Sequence, residues 1–313
     1  MTSLITNSSA MNALNALRNV NSDLGTTQSR ISSGLRITSG KDNAAYFQIS
    51  ETMKGDSGSL SAINEGLTLT KNSIATARLG AETFQDLAGQ FVERVAFAQG
   101  AKGGFTEIGN DLNELVKQME VTIKQSTFNG DNMVNAGGTV AAATVAATTG
   151  VLTESTTAAE VNTRNVVTGV SRAGAFGVTT TEVKTVDLTH MLASFKALSS
   201  GFATNAGAVT EATVGTPDGE VFLAGALKSA EGVLKKATDA ATQLGLSEKT
   251  IEEQQKFLGK LTDNIDTGVG SMIDANMEEE AARLQALQTQ QQLGIQALSI
   301  ANQGPSAVMS LFR

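Results

Sequence analysis

Gly55-Asp56-Ser57-Gly58 spells the nucleophile signature of trypsin-like serine proteases, and a single histidine, His190, is the chain's one imidazole that could act as a base. Covalent catalysis of that kind needs a serine within reach of an imidazole that a carboxylate orients. Ser57 falls inside a long helical heptad pattern rather than on a loop between strands, and His190 lies in a segment with no partner motif. With one histidine there is no HExxH zinc arrangement. Glu278, Glu279 and Glu280 set three carboxylates side by side, but adjacent helical residues point in different directions, whereas a calcium site needs oxygens converging from a loop. They suit the first turns of a helix, where the dipole favours carboxylates. Gly100 to Gly104 lacks the GK[ST] ending of a phosphate loop, and Met272, Met277 and Met309 read as packing residues. The sequence therefore predicts no catalytic, cofactor-binding or metal-binding residues, and a protein that is not an enzyme.

Composition points the same way. Without tryptophan and with one tyrosine in 313 residues, the chain is built for long thin helices more than for one thick core. A net charge of −8 with lysines and arginines scattered makes nucleic acid and anionic membrane poor partners. No cysteine is present, so disulfides and thiolate metal sites are excluded. The first residues, MTSLITNSSAMNALNALR, lack the basic region and apolar run of a secretory signal, so export is expected to proceed without a cleaved peptide.

Positioning falls to the helices. From Leu284 to Phe312 no side chain is charged, yet eight glutamines and asparagines keep the stretch too polar for a membrane span. Its apolar stripe runs through Leu284, Leu287, Ile295, Leu298, Val308 and Leu311, broken at Gln291 and by a turn at Gly304-Pro305. At the other end Leu4, Met11, Leu14, Leu17, Val20, Leu24, Ile31 and Leu35 make a second stripe. Each stripe needs a partner surface, either the other end of the chain or copies of itself. A joint is expected within Ser29 to Ser50, and from Tyr46 a heptad runs through Ile49, Met53, Asp56, Leu60, Leu67, Ile74, Phe84, Phe91 and Ala98. A shorter helix follows with Phe105, Ile108, Leu112, Leu115 and Met119 on one face, and a long heptad resumes from Leu223 to Met272, with Asp274 suited to cap the final helix.

Between them, Asn129-Gly130 marks a turn, and from about Thr139 the composition shifts to Thr, Val, Ala and Gly, which predicts a small β-rich insertion with one helix near Met191 to Leu198. The expected fold is mainly α: a nested hairpin of long coiled-coil-like helices, a terminal helix pair plus a three-helix rod. Residues 1–40 and 275–313 would form a terminal-helix inner core, 41–138 and 220–274 a helical rod, and 139–219 the variable, surface-exposed β-rich insertion. A single hairpin path would bring both ends to one pole.

The opening TSLITNSSAMNALNALRNVNSDLGTTQSRISSGLRITSGKDNAA, the central FNGDNMV and the closing ALQTQQQLGIQALSIANQGPSAVMSLFR resemble bacterial flagellin across about residues 1–135 and 220–313. The resemblance implies a structural subunit that polymerises into the filament of the bacterial flagellum, exported unfolded through a type III apparatus to an extracellular location. It implies terminal-helix packing around a central channel, with other flagellin subunits, the flagellar cap, the hook-filament junction protein and an export chaperone as partners. Residues up to about 40 and beyond about 275 are expected to be disordered in the free subunit. A hook-filament junction protein, or an enzymatic or carbohydrate-binding insertion on a flagellin scaffold, are the alternatives. By the same resemblance, Gln90 to Phe97 occupies the stretch that an animal innate receptor recognises in many flagellins. Here Phe91 stands at the usual arginine position, beside Gln90, Glu93 and Arg94. Ser29 to Ser50 aligns with the segment that plants sense, with Asn43, Tyr46 and Phe47 departing from the common pattern.

Overall fold

A computed structural model describes residues 7–101, 103–135, 140–154, 161–171, 177–206 and 217–310. Leu4 and Leu311 of the terminal stripes lie outside the described residues, and for Val308 only the backbone is described. The chain is mainly helical. In order come α1 (Ser8–Ser33), α2 (Ala44–Gly100), α3 (Phe105–Gln125), β1 (Thr144–Val145), β2 (Leu152–Thr153), β3 (Val161–Ser171), β4 (Gly177–Val186), α4 (Thr189–Ala206), α5 (Pro217–Ile273) and α6 (Met277–Ser310). β1 pairs antiparallel with β2, and β3 with β4, the second ribbon slipping register between Val167 and Gly169. Two compact units result, one of residues 1–58 with 261–313 and one of residues 59–260. α2 and α5 contribute to both.

In the unit of residues 59–260, α2 and α5 run antiparallel along a seam that mixes alanines with larger apolar residues. Ile74, Ala77, Ala81, Phe84, Ala88 and Phe91 of α2 are fully buried, as are Ala230, Ala237, Leu244 and Ile251 of α5. Alanine at alternate heptad positions makes room for the larger side chains between them. Its flanks are polar: Lys71 pairs with Glu252 at 2.5 Å, and Arg78 Nε donates to Glu248 at 2.8 Å. Such half-exposed pairs contribute only about 0–1 kcal/mol each. They fix register more than stability.

The heptad fails at its N-terminal end. Tyr46 and Ile49 are exposed, and the seam there is occupied by Ser50 and Ser57. Each serine satisfies its hydroxyl, Ser50 on the Phe47 carbonyl at 2.9 Å and Ser57 on Asp266 Oδ1 at 2.7 Å, which makes a small polar residue cheaper to bury than the neighbouring tyrosine.

The expected insertion is more than a surface ribbon. Its helix extends from Thr189 to Ala206, well beyond Met191 to Leu198, and lies antiparallel to α3 with Ser199 bonded to Asn113 and Phe202 tilted against Phe105. Phe195 is fully buried, edge-on to Phe91 with centroids 4.9 Å apart and to Phe84 at 6.0 Å. The β1–β2 turn settles on α5 where two glycines meet: a Cβ on Gly150 or Gly225 would run into the other segment's backbone. β3 and β4 are tied down by Gln254 Nε2 on the Thr168 carbonyl at 2.9 Å and Ser247 Oγ on the Lys184 carbonyl at 3.2 Å.

Phe195→Ala should therefore open a cavity in the heart of this unit and cost about 3–5 kcal/mol. Chemical denaturation followed by a probe on α2 should show the loss; an unchanged midpoint would mean that α4 rests on the helices without sharing their core.

A candidate assembly surface on the terminal helices

In the unit of residues 1–58 with 261–313, α1 and α6 lie side by side and antiparallel. Contacts from end to end fix the register: Asn7 Nδ2 donates to the Ala301 carbonyl at 2.8 Å, Gln291 Nε2 to Asn21 Oδ1 at 2.7 Å, and Arg30 Nη1 to Glu280 Oε1 at 3.1 Å. The protected positions step by three and four. On α1 they are Ala10, Ala13, Leu17, Val20, Leu24, Thr27 and Ile31; on α6 they are Glu280, Leu284, Leu287, Gln291, Gly294, Leu298 and Ala301. That is a coiled-coil seam in which aliphatic side chains are interspersed with small and polar residues. At Gly294 an added Cβ would sit 3.3 Å from Leu17 Cδ1, so the glycine sets the close approach.

Of the stripe residues named from sequence, the structure brings Leu17, Leu24, Ile31, Leu284, Leu287 and Leu298 into this seam, Leu287 being buried. Leu35 lies partly buried against a small core of Ile37, Val269 and Ile273. Met11, Leu14 and Ile295 are not in the seam; they are exposed, together with Leu293 and Ile300. Each helix thus carries apolar residues outside the surface it shares with the other. Among the described residues no helix is long and apolar enough to cross a membrane.

Two local expectations are corrected. α6 runs without a turn through Gly304 and Pro305 to Ser310, and Gln291, expected to break the stripe, sits in the seam bonded to Asn21. Proline has no N–H for the carbonyl four residues earlier, which is that of Ala301. Asn7 supplies the missing donor through Nδ2 while its Oδ1 caps α1 by accepting from Ala10 N at 3.1 Å. The cap of α6 is Asn276, whose Oδ1 accepts from Glu278 N at 3.2 Å, and not Asp274. Sequence reading missed Asn7, Asn21, Thr27 and Arg30; an asparagine three residues before Ala10 was a usable cap signal, and the others were not apolar.

Electrostatics in this unit are sparse. Glu280 is buried with Oε1 on Arg30 and Oε2 without a partner among the described residues. In the joint between α1 and α2, Asp42 Oδ2 accepts from the backbone and hydroxyl of both Thr38 and Ser39. The Thr38 backbone bond foremost, with the others, holds its carboxyl below the usual carboxylate range. Ser57 of the protease-like motif is mid-helix on Asp266, and His190 is buried in α4. In the other unit a cleft of about 580 Å³ lies between α3 and α4, where Glu120 is tied to Lys124 at 2.6 Å. Phe91 is buried, while Gln90, Glu93 and Arg94 are exposed, Arg94 Nε standing 3.7 Å from Asp111.

Comparison with known proteins gives two family matches: the bacterial flagellin N-terminal helical region over residues 4–139 and the bacterial flagellin C-terminal helical region over residues 227–312. Curated relatives align end to end. Flagellin C of Rhizobium meliloti is 34% identical over 326 residues, covering 100% of both chains. A flagellin of Brucella melitensis is 33% identical over 318 residues, again 100% of both. Flagellin FljK of Caulobacter vibrioides is 33% identical over 316 residues, 100% of this chain and 99% of the relative.

Asn7→Asp should keep the helix cap but lose the donor to Ala301, and Asn7→Ala should lose both, costing about 1–3 kcal/mol of α1–α6 pairing. If Asn7→Asp protects the pair as well as asparagine does in hydrogen exchange, the bond to Ala301 is not what holds that end. Because the folded-state pKa of Asp42 is depressed, its contribution is present above about pH 4, the unfolded value, and is lost as pH falls through the lower folded one. An NMR titration should place that carboxyl lower than in an Asp42 peptide.

Proposed function

The chain belongs to the bacterial flagellin family, and from that premise we propose that the α1–α6 pair is its assembly element, with its exposed apolar residues covered by neighbouring copies. The protein is a structural subunit that polymerises into the flagellar filament, an extracellular motility structure. One observation carries the finer reading: α1 and α6 share a single seam, yet Met11, Leu14, Leu293, Ile295 and Ile300 stay outside it and exposed. Apolar surface of that kind on a thin helix pair is stabilised by association.

Along α6 no side chain is charged after Arg283, whereas α1 carries exposed Arg18 and Asp23. A wall formed by that stretch of α6 would not hold a passing unfolded chain electrostatically, which suits packing around an export channel. The same exposed residues would engage the flagellar cap, the hook-filament junction protein and an export chaperone, each covering them at a different stage. Before assembly they would remain bare, and the α1–α6 pair would be only loosely ordered, becoming fixed as copies dock. Lateral recognition by an animal receptor is a separate matter. A surface reading the α2 stretch would meet Gln90, Glu93 and an Arg94 close to Asp111, with Phe91 turned into the core, so recognition there should be weak in a reporter-cell assay.

Ile300 is 70% exposed and lies outside the seam. Ile300→Lys should leave the monomer's circular dichroism unchanged and abolish growth on filament seeds, since the desolvated ammonium costs several kcal/mol per interface. Leu287→Glu, inside the seam, should weaken the pair itself by a few kcal/mol. Full-length filaments from Ile300→Lys would overturn the assignment of this face.

A further inference from the structure

The two crossings beside the terminal helices, Gly34 to Ile37 after α1 and Met272 to Ala275 before α6, are laid against each other. Leu35 and Asp274 form an antiparallel bridge. Arg36 N donates to the Ile273 carbonyl at 2.6 Å, Ala275 N to the Gly34 carbonyl at 2.9 Å, and Arg36 Nη2 to the Met272 carbonyl at 2.9 Å. Gly34, at φ 72°, ends α1 in the left-handed conformation that lets the chain turn into this bridge. Beneath it Ile37, Val269 and Ile273 are buried, with Leu35, Phe47, Met53, Ile265 and Met272 packed around them. The two connections form one small two-stranded elbow with its own core.

From this elbow α1 and α6 depart as neighbours. The contact nearest to it is the Arg30–Glu280 pair with buried Thr27; farther along come Asn21–Gln291 and, at the far end, Asn7–Ala301. Bringing together two segments so distant in sequence costs loop-closure entropy once, and every turn paired after that adds to a contact already made. We propose that the elbow is the closing point from which the terminal pair zips outward, so that its closure sets how ordered the pair is before a neighbouring copy docks. The proposal rests on the reading of α1–α6 as an element ordered by assembly.

The bonds flank Leu35 and Asp274 instead of joining them, which is the pattern of a non-hydrogen-bonded pair with Cα atoms about 4.5 Å apart. That spacing lies within the span of a disulfide, and the chain has no cysteine to compete. Full-length protein carrying Leu35→Cys with Asp274→Cys should close a bond on oxidation, and comparing its oxidised and reduced forms cancels the effect of the substitutions.

In dilute unassembled protein, oxidation should raise hydrogen-exchange protection about tenfold in residues 20–33 and 277–290, with a smaller gain towards residues 8–15 and 295–303. Seeded growth should begin at a several-fold lower protein concentration. Failure of the bond to form, equal protection in both forms, protection gained first at the far end, or growth only at higher concentration would each overturn the zipper. If protection rises as described but neither form extends seeds, the zipper stands and the assembly reading falls.

Discussion

A slim helix can present one stripe to one partner, and everything at the ends of this chain follows from that limit. α1 and α6 use their stripe on each other, along a seam in which Ala10, Ala13, Thr27, Gln291, Gly294 and Ala301 keep the axes close. Small residues bring the helices together but bury little apolar area, so the pair is weak by the measure of roughly 25 cal/mol per Å². Side chains as large as those in the seam, Met11, Leu293, Ile295 and Ile300, lie elsewhere on the same helices. A pair that leaves so much apolar surface outside its own interface is a half-built core. On the assembly reading proposed above, the next subunit supplies the missing half.

The other unit solves the same problem differently. α2 and α5 also meet on alanines, but there the thinness is compensated within the chain: α3 and α4 cover the second side, and Phe195 reaches between Phe84 and Phe91, about two turns apart on α2. One of the three comes from the segment whose composition looks least like a core. The insertion is therefore structurally continuous with the helices that carry it, and the close backbone approach of Gly150 to Gly225 fixes a second point of that attachment. A unit that completes its own core is ready to stand as a monomer; the terminal pair is not.

What could be read from residues alone was periodic. The heptads from Leu60 to Ala98 and from Leu223 to Leu258 gave helix, face and partner at once, because a 3.5-residue repeat has few other uses. Positions went astray where a polar group replaced an apolar one at lower cost. Ser50 and Ser57 entered the seam by satisfying their hydroxyls; Asn276, not Asp274, is the cap for a separate reason, that it immediately precedes Met277, where α6 begins. The depth of Phe195 depends on contacts with Phe84 and Phe91, a segment distant in sequence, which local pattern does not encode. On the terminal helices the seam was half legible: leucines marked it, but the alanines, Thr27 and Gln291 that complete it carry no hydrophobic signal.

Pro305 shows how closely the two ends are fitted. A proline inside a helix removes one backbone donor and normally kinks or ends it, at about 3 kcal/mol. α6 continues because the orphaned Ala301 carbonyl receives a hydrogen bond from Asn7, a residue at the opposite end of the chain whose other side-chain atom is already capping α1. The donor reaches Ala301 only when the two helices are aligned in this register; a slip by one turn would leave the Ala301 carbonyl unsatisfied, while the Asn7 cap, local to α1, would survive. The register of the pair is thus specified by polar contacts at its far end, at Asn21–Gln291 and at Arg30–Glu280, and by the bridge of Leu35 with Asp274 at its near end. An interface too thin to be strong is made specific by these few contacts, and a subunit that must present one defined surface to its neighbours needs that specificity more than it needs strength.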